Sequence, residues 1–155
     1  MHMSNVEERL KSLGIKLPNP PQAQGNYVGA VTSGNLVYLS GSGPMKADGS
    51  FIVGKVPTDI SQEEAYQAAR LTGLNLLATL KAHIGDLDRF QKLIKVLGMV
   101  NAEPDFAAQP KVINGFSDLM VEVFGDAGRG ARSAVGVGSL PSGISVEIEM
   151  IVEIK

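Results

Sequence analysis

The segment Ile144–Ile154 alternates between apolar and mainly polar side chains at every other position. Isoleucine, valine and methionine occupy the even positions, whereas the odd positions hold a serine, glutamates and one isoleucine. Because successive side chains of a β-strand point to opposite faces of a sheet, this pattern predicts a strand with one buried face and one polar face. The preceding Leu140–Gly143 combines Pro and Gly in a way typical of a tight turn. We therefore expect a C-terminal hairpin, in which this strand pairs with one that begins at Arg132.

Apolar periodicity and turn residues predict the remaining elements. Ser61 and Glu64 form a capping box at the head of a long helix, and Gly85 supplies its stop. Pro110 suits the first position of a second long helix, which ends at Gly125. The other expected elements are a short amphipathic helix from Ser4 to Gly14, strands at Tyr27–Thr32 and Leu36–Ser40 joined by a Ser33–Asn35 turn, a short strand at Phe51–Gly54 and a strand at Phe90–Val100.

This order of elements predicts an α+β protein, with a mixed β-sheet and two long helices packed on one face. No repeat, linker or change in composition divides the chain. We therefore expect a single domain over residues 1–155, in which residues 1–20 form a leader helix and a Pro-rich entry. The other face of the sheet has no predicted element to cover it. Oligomerisation is the simplest way to bury the apolar strand residues of that face.

Composition excludes several kinds of site. The chain has no Cys, so disulfides, thiolate catalysis and Cys-based metal sites are excluded. Its histidines, His2 and His83, are too few and too far apart for a His-based metal site, and His83 is expected to be structural. Met1–Met3 is expected to be an addition ahead of a natural start at Met3, so His2 is given no role. A net charge of -2 argues against electrostatic capture of nucleic acid.

The expected location is the cytoplasm. The N-terminus lacks a basic segment followed by an apolar run, which would be typical of a secretory signal. No apolar run approaches the roughly 20 residues that a membrane-spanning helix needs.

A series of short motifs runs through most of the chain. They are Asn26–Val28, Leu39–Gly41, Val112–Asn114, Ala131–Ser133 and Val146–Glu149. In this order and spacing, over roughly residues 20–155, they resemble the Rid family of reactive-intermediate imine/enamine deaminases. Members of that family have also been named L-PSP endoribonucleases and translation initiation inhibitors. The interval between Asn114 and Arg132 and the N-terminal leader are longer than in the best-known members, which indicates a divergent branch.

The resemblance implies a chorismate-mutase-like fold, assembled as a homotrimeric barrel with ligand clefts between subunits. It also implies roles for individual residues. The arginine matching Arg132 binds the substrate carboxylate, and the glutamate matching Glu147 positions water at the imine carbon. The remaining cleft positions of the family correspond to Tyr27, Asn114 and the backbone of Ser40 and Gly41. Neither a metal nor a redox cofactor is implied.

Arg132 and Glu147 each have a structural alternative. Arg132 could be a surface arginine in a weak ion pair, although a guanidinium offers the planar fork that holds a carboxylate through two hydrogen bonds. Arg129 competes for the same role and is expected to be a solvated loop charge. Glu147 shares its strand face with Glu149 and Glu153, which could together be a solvated face.

The other candidates also have alternatives. Tyr27 could simply pack beside a strand, and the Asn114 amide could be satisfied within its helix. Ser40 has no His or Lys partner in the sequence pattern, so a nucleophilic role is not expected.

The function that follows is hydrolysis of a 2-imino or 2-enamino acid to a 2-keto acid and ammonia. The first alternative is a non-catalytic trimer that binds small carboxylic or keto acids at the same clefts. The second is an endoribonuclease, which an acidic chain with three Tyr and no Trp does not favour. A chorismate mutase activity would rest on similarity of fold alone.

Overall fold

A computed structural model describes residues 4–155, so His2 and the segment Met1–Met3 lie outside the described residues. The α+β prediction, with a mixed sheet and two long helices, is confirmed. Within residues 4–155, no helix is both long enough and apolar enough to cross a membrane. The helices and strands, in chain order, are α1 (Asn5–Ser12), β1 (Ala30–Ser33), β2 (Leu36–Ser42), α2 (Gln62–Ile84), β3 (Phe90–Asn101), α3 (Gln109–Phe124), β4 (Ala131–Val137) and β5 (Val146–Ile154).

The strands form one five-stranded sheet in the order β1-β2-β5-β3-β4. β4 runs parallel to β3, and the other neighbouring strands are antiparallel. β5 therefore lies at the centre of the sheet, and β4 lies at one edge.

The expected C-terminal hairpin is wrong, because β3 lies between β4 and β5. α3 carries the chain from β3 to the start of β4, which is the crossover that a parallel pair requires. The connection from β4 to β5 then spans the end of β3. There the N–H of Ala102 donates to the carbonyl of Val137 at 3.2 Å, and the N–H of Asn101 donates to the carbonyl of Ser145 at 2.9 Å. Pro141–Gly143 does form a turn, a short 3₁₀ segment within this connection.

The alternation along β5 is confirmed. Its even-numbered side chains are buried, whereas the odd-numbered ones are partly or fully exposed. The buried face packs against α2 and α3, so both long helices lie on the same side of the sheet. The sheet residues buried there include Val37, Leu39, Val96, Val100, Val146, Ile148, Met150 and Val152.

The predicted ends of the long helices are also confirmed. Ser61 Oγ accepts a hydrogen bond from the N–H of Glu64 at 3.0 Å, which satisfies a free donor at the start of α2. Gly85 ends that helix with a φ of 86°, a conformation that costs glycine little. Pro110 lies in the first turn of α3, and Gly125 ends the helix. Local sequence signals therefore fix where both helices lie along the chain.

Two strand predictions need correction. The first strand begins at Ala30 rather than Tyr27, since the pairing with β2 starts at Ala30 and Leu39. Phe51–Gly54 is not a strand, because it makes only isolated bridges, from Phe51 to Met45 and from Val53 to Ile144. These contacts attach the long connection between β2 and α2 to the rest of the protein without extending the sheet.

α2 and α3 approach each other closely at Gly115. A Cβ atom placed on Gly115 would lie 2.0 Å from the carbonyl oxygen of Tyr66 and 3.1 Å from the amide nitrogen of Arg70. Glycine is therefore needed at this position of α3 for the two helix backbones to pack together. Arg70 and Tyr66 also join the helices through side chains, since Arg70 Nη2 lies 2.9 Å from Glu122 Oε2 and the Tyr66 hydroxyl donates to Asp118 Oδ2 at 2.6 Å.

We expect Gly115→Ala to destabilise the protein. Replacing a helical glycine by alanine would by itself stabilise by about 1 kcal/mol, but overpacking costs about 1–3 kcal/mol. The overpacking cost should prevail because the nearest atoms belong to backbone and cannot rotate away. Urea unfolding measures the difference in the free energy of unfolding. Gly138→Ala is the matched control, since nothing lies within 4 Å of a Cβ at Gly138; equal stability of the two variants would contradict the close approach.

Candidate active site

Arg132 lies on the edge strand β4, with its side chain directed toward α3. Its guanidinium Nη1 donates to Asn114 Oδ1 at 2.8 Å and to Ser117 Oγ at 3.1 Å. Both bonds use the same nitrogen, and within residues 4–155 Arg132 forms no salt bridge. The other guanidinium donors are therefore available for a ligand. The sequence analysis identified Asn114 but missed Ser117, which stands three residues further along the same helix face.

The guanidinium opens into a recess of about 290 Å³ between α3 and the edge of the sheet. Arg132, Asn114 and Ser117 line it together with the turn that precedes β4. A carboxylate that entered this recess could accept two parallel hydrogen bonds from the guanidinium, whose orientation Asn114 and Ser117 already fix.

Glu147 lies on the central strand β5, on the face of the sheet that no helix covers. Its carboxylate lies directly over Gly41, since a Cβ on Gly41 would be 2.7 Å from Glu147 Oε2. Burial raises the pKa of Glu147, and the charge of Glu149 two positions along the same face raises that pKa further. Glu147 is therefore a carboxyl group that binds a proton more readily than an ordinary glutamate does.

Tyr27, Ser40 and Gly41 meet at a small hollow of about 40 Å³ beside α2. The register between β2 and β5 shifts between Leu39 and Ser42, so the bulge places Ser40 and Gly41 outside the regular ladder. Ser40 Oγ donates to the carbonyl of Val28 at 2.6 Å. Its hydroxyl is thus used within the chain, and Tyr27, which is 52% exposed, forms the outer rim.

Arg132 and Glu147 do not meet within one chain. Arg132 is paired in register with Val96, and Glu147 with Met99. Val96 and Met99 are three positions apart on β3, so their side chains, and those of their partners, point to opposite faces of the sheet. The candidate residues thus form two groups: Arg132 with Asn114 on one face, and Glu147 with Gly41 on the other. A single ligand could contact both groups only with a second copy of the chain.

The face that carries Glu147 also exposes several apolar side chains. Val31, Tyr38 and Val135 are 53%, 45% and 43% exposed, and they stand on three different strands. A hollow of about 410 Å³ lies in the middle of this face. Lys95 and Ser133 both line this hollow, and Lys95 Nζ donates to Ser133 Oγ at 2.9 Å. An apolar area of this kind is typical of a surface that contacts another protein.

Comparison with known proteins identifies the family. Residues 7–149 match the model of the family described as "YjgF/chorismate_mutase-like, putative endoribonuclease". The chain therefore belongs to this family, which confirms the resemblance to Rid proteins and the chorismate-mutase-like fold.

Individual relatives cover almost the whole chain. The chain is 40% identical to Protein TCP17 of Trypanosoma cruzi, over 97% of this chain and 94% of that protein. It is 35% identical to a 2-iminobutanoate/2-iminopropanoate deaminase of Dermatophagoides farinae, over 91% of this chain and 95% of that protein. A crystal structure of a protein of unknown function from Agrobacterium tumefaciens shares 45% identity and a TM-score of 0.89, covering 97% of this chain and 92% of that one. The family thus includes proteins named as imine deaminases alongside proteins without an assigned activity.

We expect Glu149→Gln to lower the pKa of Glu147 toward its ordinary value. The substitution removes the negative charge that disfavours ionisation of Glu147, while burial, the larger cause, remains. NMR titration of the Glu147 side-chain carboxyl measures this shift. Glu153→Gln removes a charge from the same strand and is the control. An unchanged Glu147 pKa in Glu149→Gln would show that the two carboxylates do not interact.

Proposed function

We propose that this protein hydrolyses 2-imino or 2-enamino acids to 2-keto acids and ammonia. The observation that carries the proposal is the guanidinium of Arg132, which Asn114 and Ser117 fix through Nη1 and whose other donors make no hydrogen bond within residues 4–155. Such a group suits the one feature shared by all 2-imino acids, the carboxylate next to the reacting carbon. The relatives named as 2-iminobutanoate/2-iminopropanoate deaminases support the same reaction.

The reaction needs a group that accepts a proton and then returns it, and Glu147 suits this role because burial and the charge of Glu149 raise its pKa above that of an ordinary glutamate. Its carboxylate takes a proton from water as the water oxygen attacks the imine carbon. It then returns the proton to the nitrogen of the tetrahedral intermediate. The substrate reacts as its protonated imine, so the nitrogen leaves as ammonia when the carbon–nitrogen bond breaks. In the same step the hydroxyl group of the intermediate gives its proton to the Glu147 carboxylate and becomes the carbonyl of the keto acid. Arg132 holds the substrate so that its imine carbon faces this water.

The working site is proposed to lie between two copies of the chain, within a homotrimer. Arg132 and Glu147 point to opposite faces of one sheet, so one substrate can reach both only if they come from different protomers. Association through the apolar open face, with Val31, Tyr38 and Val135, would bury these side chains and bring Glu147 and Gly41 toward the Arg132 edge of a neighbour. Tyr27 and the backbone at Ser40 would then shape the cleft.

Two other functions remain as outcomes of the tests. A trimer that binds keto acids without turnover would keep the dependence of binding on Arg132 but release no product. An endoribonuclease, the activity in the family description, is less favoured because a chain of net charge -2 with no Trp offers little for phosphate or base contacts.

We expect Arg132→Ala to reduce kcat/KM for 2-imino acids by about 100-fold or more, because orientation of the substrate supplies a large part of the rate. Glu147→Gln should reduce kcat by about 100-fold or more, as expected for loss of a general base. Imines generated in situ by an amino acid oxidase, with the release of keto acid followed over time, provide the assay. Lys46→Gln, which removes an exposed charge that belongs to neither group, is the control. Wild-type rates no faster than buffer, or full activity of Arg132→Ala, would refute the proposal.

A mixture of two inactive variants tests whether the site is shared. If Arg132→Ala and Glu147→Gln are unfolded and refolded together, a site that takes its arginine and its glutamate from different protomers is restored in some oligomers. Random assembly in equal amounts should recover about a quarter of the wild-type activity. Each variant refolded alone is the control and should stay inactive. If the mixture is no more active than its components, both groups act within one protomer or the pair is not used.

A further inference from the structure

A second arginine, which the proposed reaction does not use, also lines the recess at Arg132. Arg129 lines the same recess, and its side chain is 67% exposed. Its Nε donates to Asp126 Oδ1 at 3.2 Å, and the side chain of Asp126 is 98% exposed. An ion pair that is so exposed to water contributes little to the stability of the protein. Both Nη groups of Arg129 therefore remain available to an anion that enters the recess.

The backbone on either side of Arg129 is packed too tightly for any residue but glycine. A Cβ on Gly128 would lie 2.2 Å from the carbonyl oxygen of Met120 in α3, and one on Gly130 would lie 2.8 Å from Leu93 Cγ in β3. The segment between α3 and β4 thus lies directly against both elements. This contact holds the Arg129 backbone at a fixed place on the wall of the recess, only three residues before Arg132.

The remaining lining of the recess combines polar and apolar side chains, with one further charge. Leu93, Val96 and Val121 contribute hydrocarbon surface. Asp118 also lines the recess, and its Oδ2 accepts the hydrogen bond from the Tyr66 hydroxyl at 2.6 Å. With two guanidinium groups and one carboxylate, the recess has a net positive charge. Its apolar surface suits a short methylene chain.

We propose that the substrate carries a second acidic group, so that the protein prefers 2-imino dicarboxylic acids. Arg132 binds the carboxylate next to the imine carbon, and Arg129 binds the distal carboxylate. The methylene groups between them lie against Leu93 and Val96. Arg129 is thus a specificity-determining residue, and the inference rests on the proposed function through the assignment of Arg132 as the carboxylate-binding group.

The test compares two product analogues of equal chain length by isothermal titration calorimetry of the assembled protein. The probes are 2-oxoglutarate, which has the distal carboxylate, and 2-oxopentanoate, which has a methyl group instead. We expect wild type to bind 2-oxoglutarate about tenfold more tightly or better, as a charge-assisted hydrogen bond allows. Arg129→Gln should remove this preference and leave the affinity for 2-oxopentanoate unchanged. Lys46→Gln, which removes one positive charge elsewhere, should keep the preference.

Equal affinities in wild type, or a preference that survives in Arg129→Gln, would overturn the inference. Asp118→Asn gives a second check, because removal of the opposing carboxylate should tighten the binding of 2-oxoglutarate. If 2-oxo acids with a cationic side chain instead bind best, Asp118 selects the substrate and the inference is overturned.

Turnover separates this inference from the proposed function. The imines of glutamate and norvaline, generated in situ, correspond to the two probes. Hydrolysis of both at equal kcat/KM would leave the deaminase function standing and refute the role of Arg129. Arg129-dependent preference for 2-oxoglutarate in binding, with no hydrolysis of either imine, would support the role of Arg129 and refute the deaminase function.

Discussion

The register of β3 with its two neighbours determines the faces on which Arg132 and Glu147 lie. β3 pairs with β5 on one side and with β4 on the other, so it sets the face to which Glu147 and Arg132 each point. Burial of the even-numbered residues of β5 against α2 and α3 fixes this register. A slip by one residue would place Glu147 in the core and Ile148 in water. The polar groups of the site are thus positioned by the hydrophobic side chains between them.

Close packing at glycines supports the candidate groups on both faces. Gly41 leaves the space that the Glu147 carboxylate occupies, and Gly128 and Gly130 allow the turn before β4 to lie against α3 and β3. In each case a glycine lies next to a candidate residue: Gly41 contacts Glu147, and Gly128 and Gly130 flank Arg129. Burial of Glu147 beneath its neighbours also accounts for the direction of its pKa shift, since desolvation disfavours the charged form.

Much of the fold could be predicted from local patterns, because helix caps and strand alternation act within a few residues. Ser61, Gly85 and Gly125 mark helix ends correctly, and the alternation along β5 distinguishes its two faces. The pairing of strands is not local. The Pro141–Gly143 turn indicated a hairpin. β4 instead pairs with β3, which precedes it by the whole α3 crossover, and a turn signal carries no information about so distant a partner.

The sequence motifs indicated candidate site residues but not how the folded chain groups them. Motif matches indicated Arg132, Asn114, Glu147 and Gly41, and the structure places the first two in one group and the last two in another. Ser117 was missed, because a serine on a helix carries no distinctive local signal. Arg129 was considered for the carboxylate-binding role but was expected to be a solvated loop charge, because its position at the recess depends on the packing of the turn against α3 and β3. Contacts between elements that are distant in sequence place these two residues at the recess.

The placement of Arg132 and Glu147 on opposite faces would make specific activity depend on the protein concentration. If each site takes groups from two chains, a correctly folded single chain is inactive. Specific activity would then fall on dilution, as mass action separates the protomers. Substitutions at Tyr38 or Val135 could likewise abolish turnover while leaving the fold of the chain unchanged.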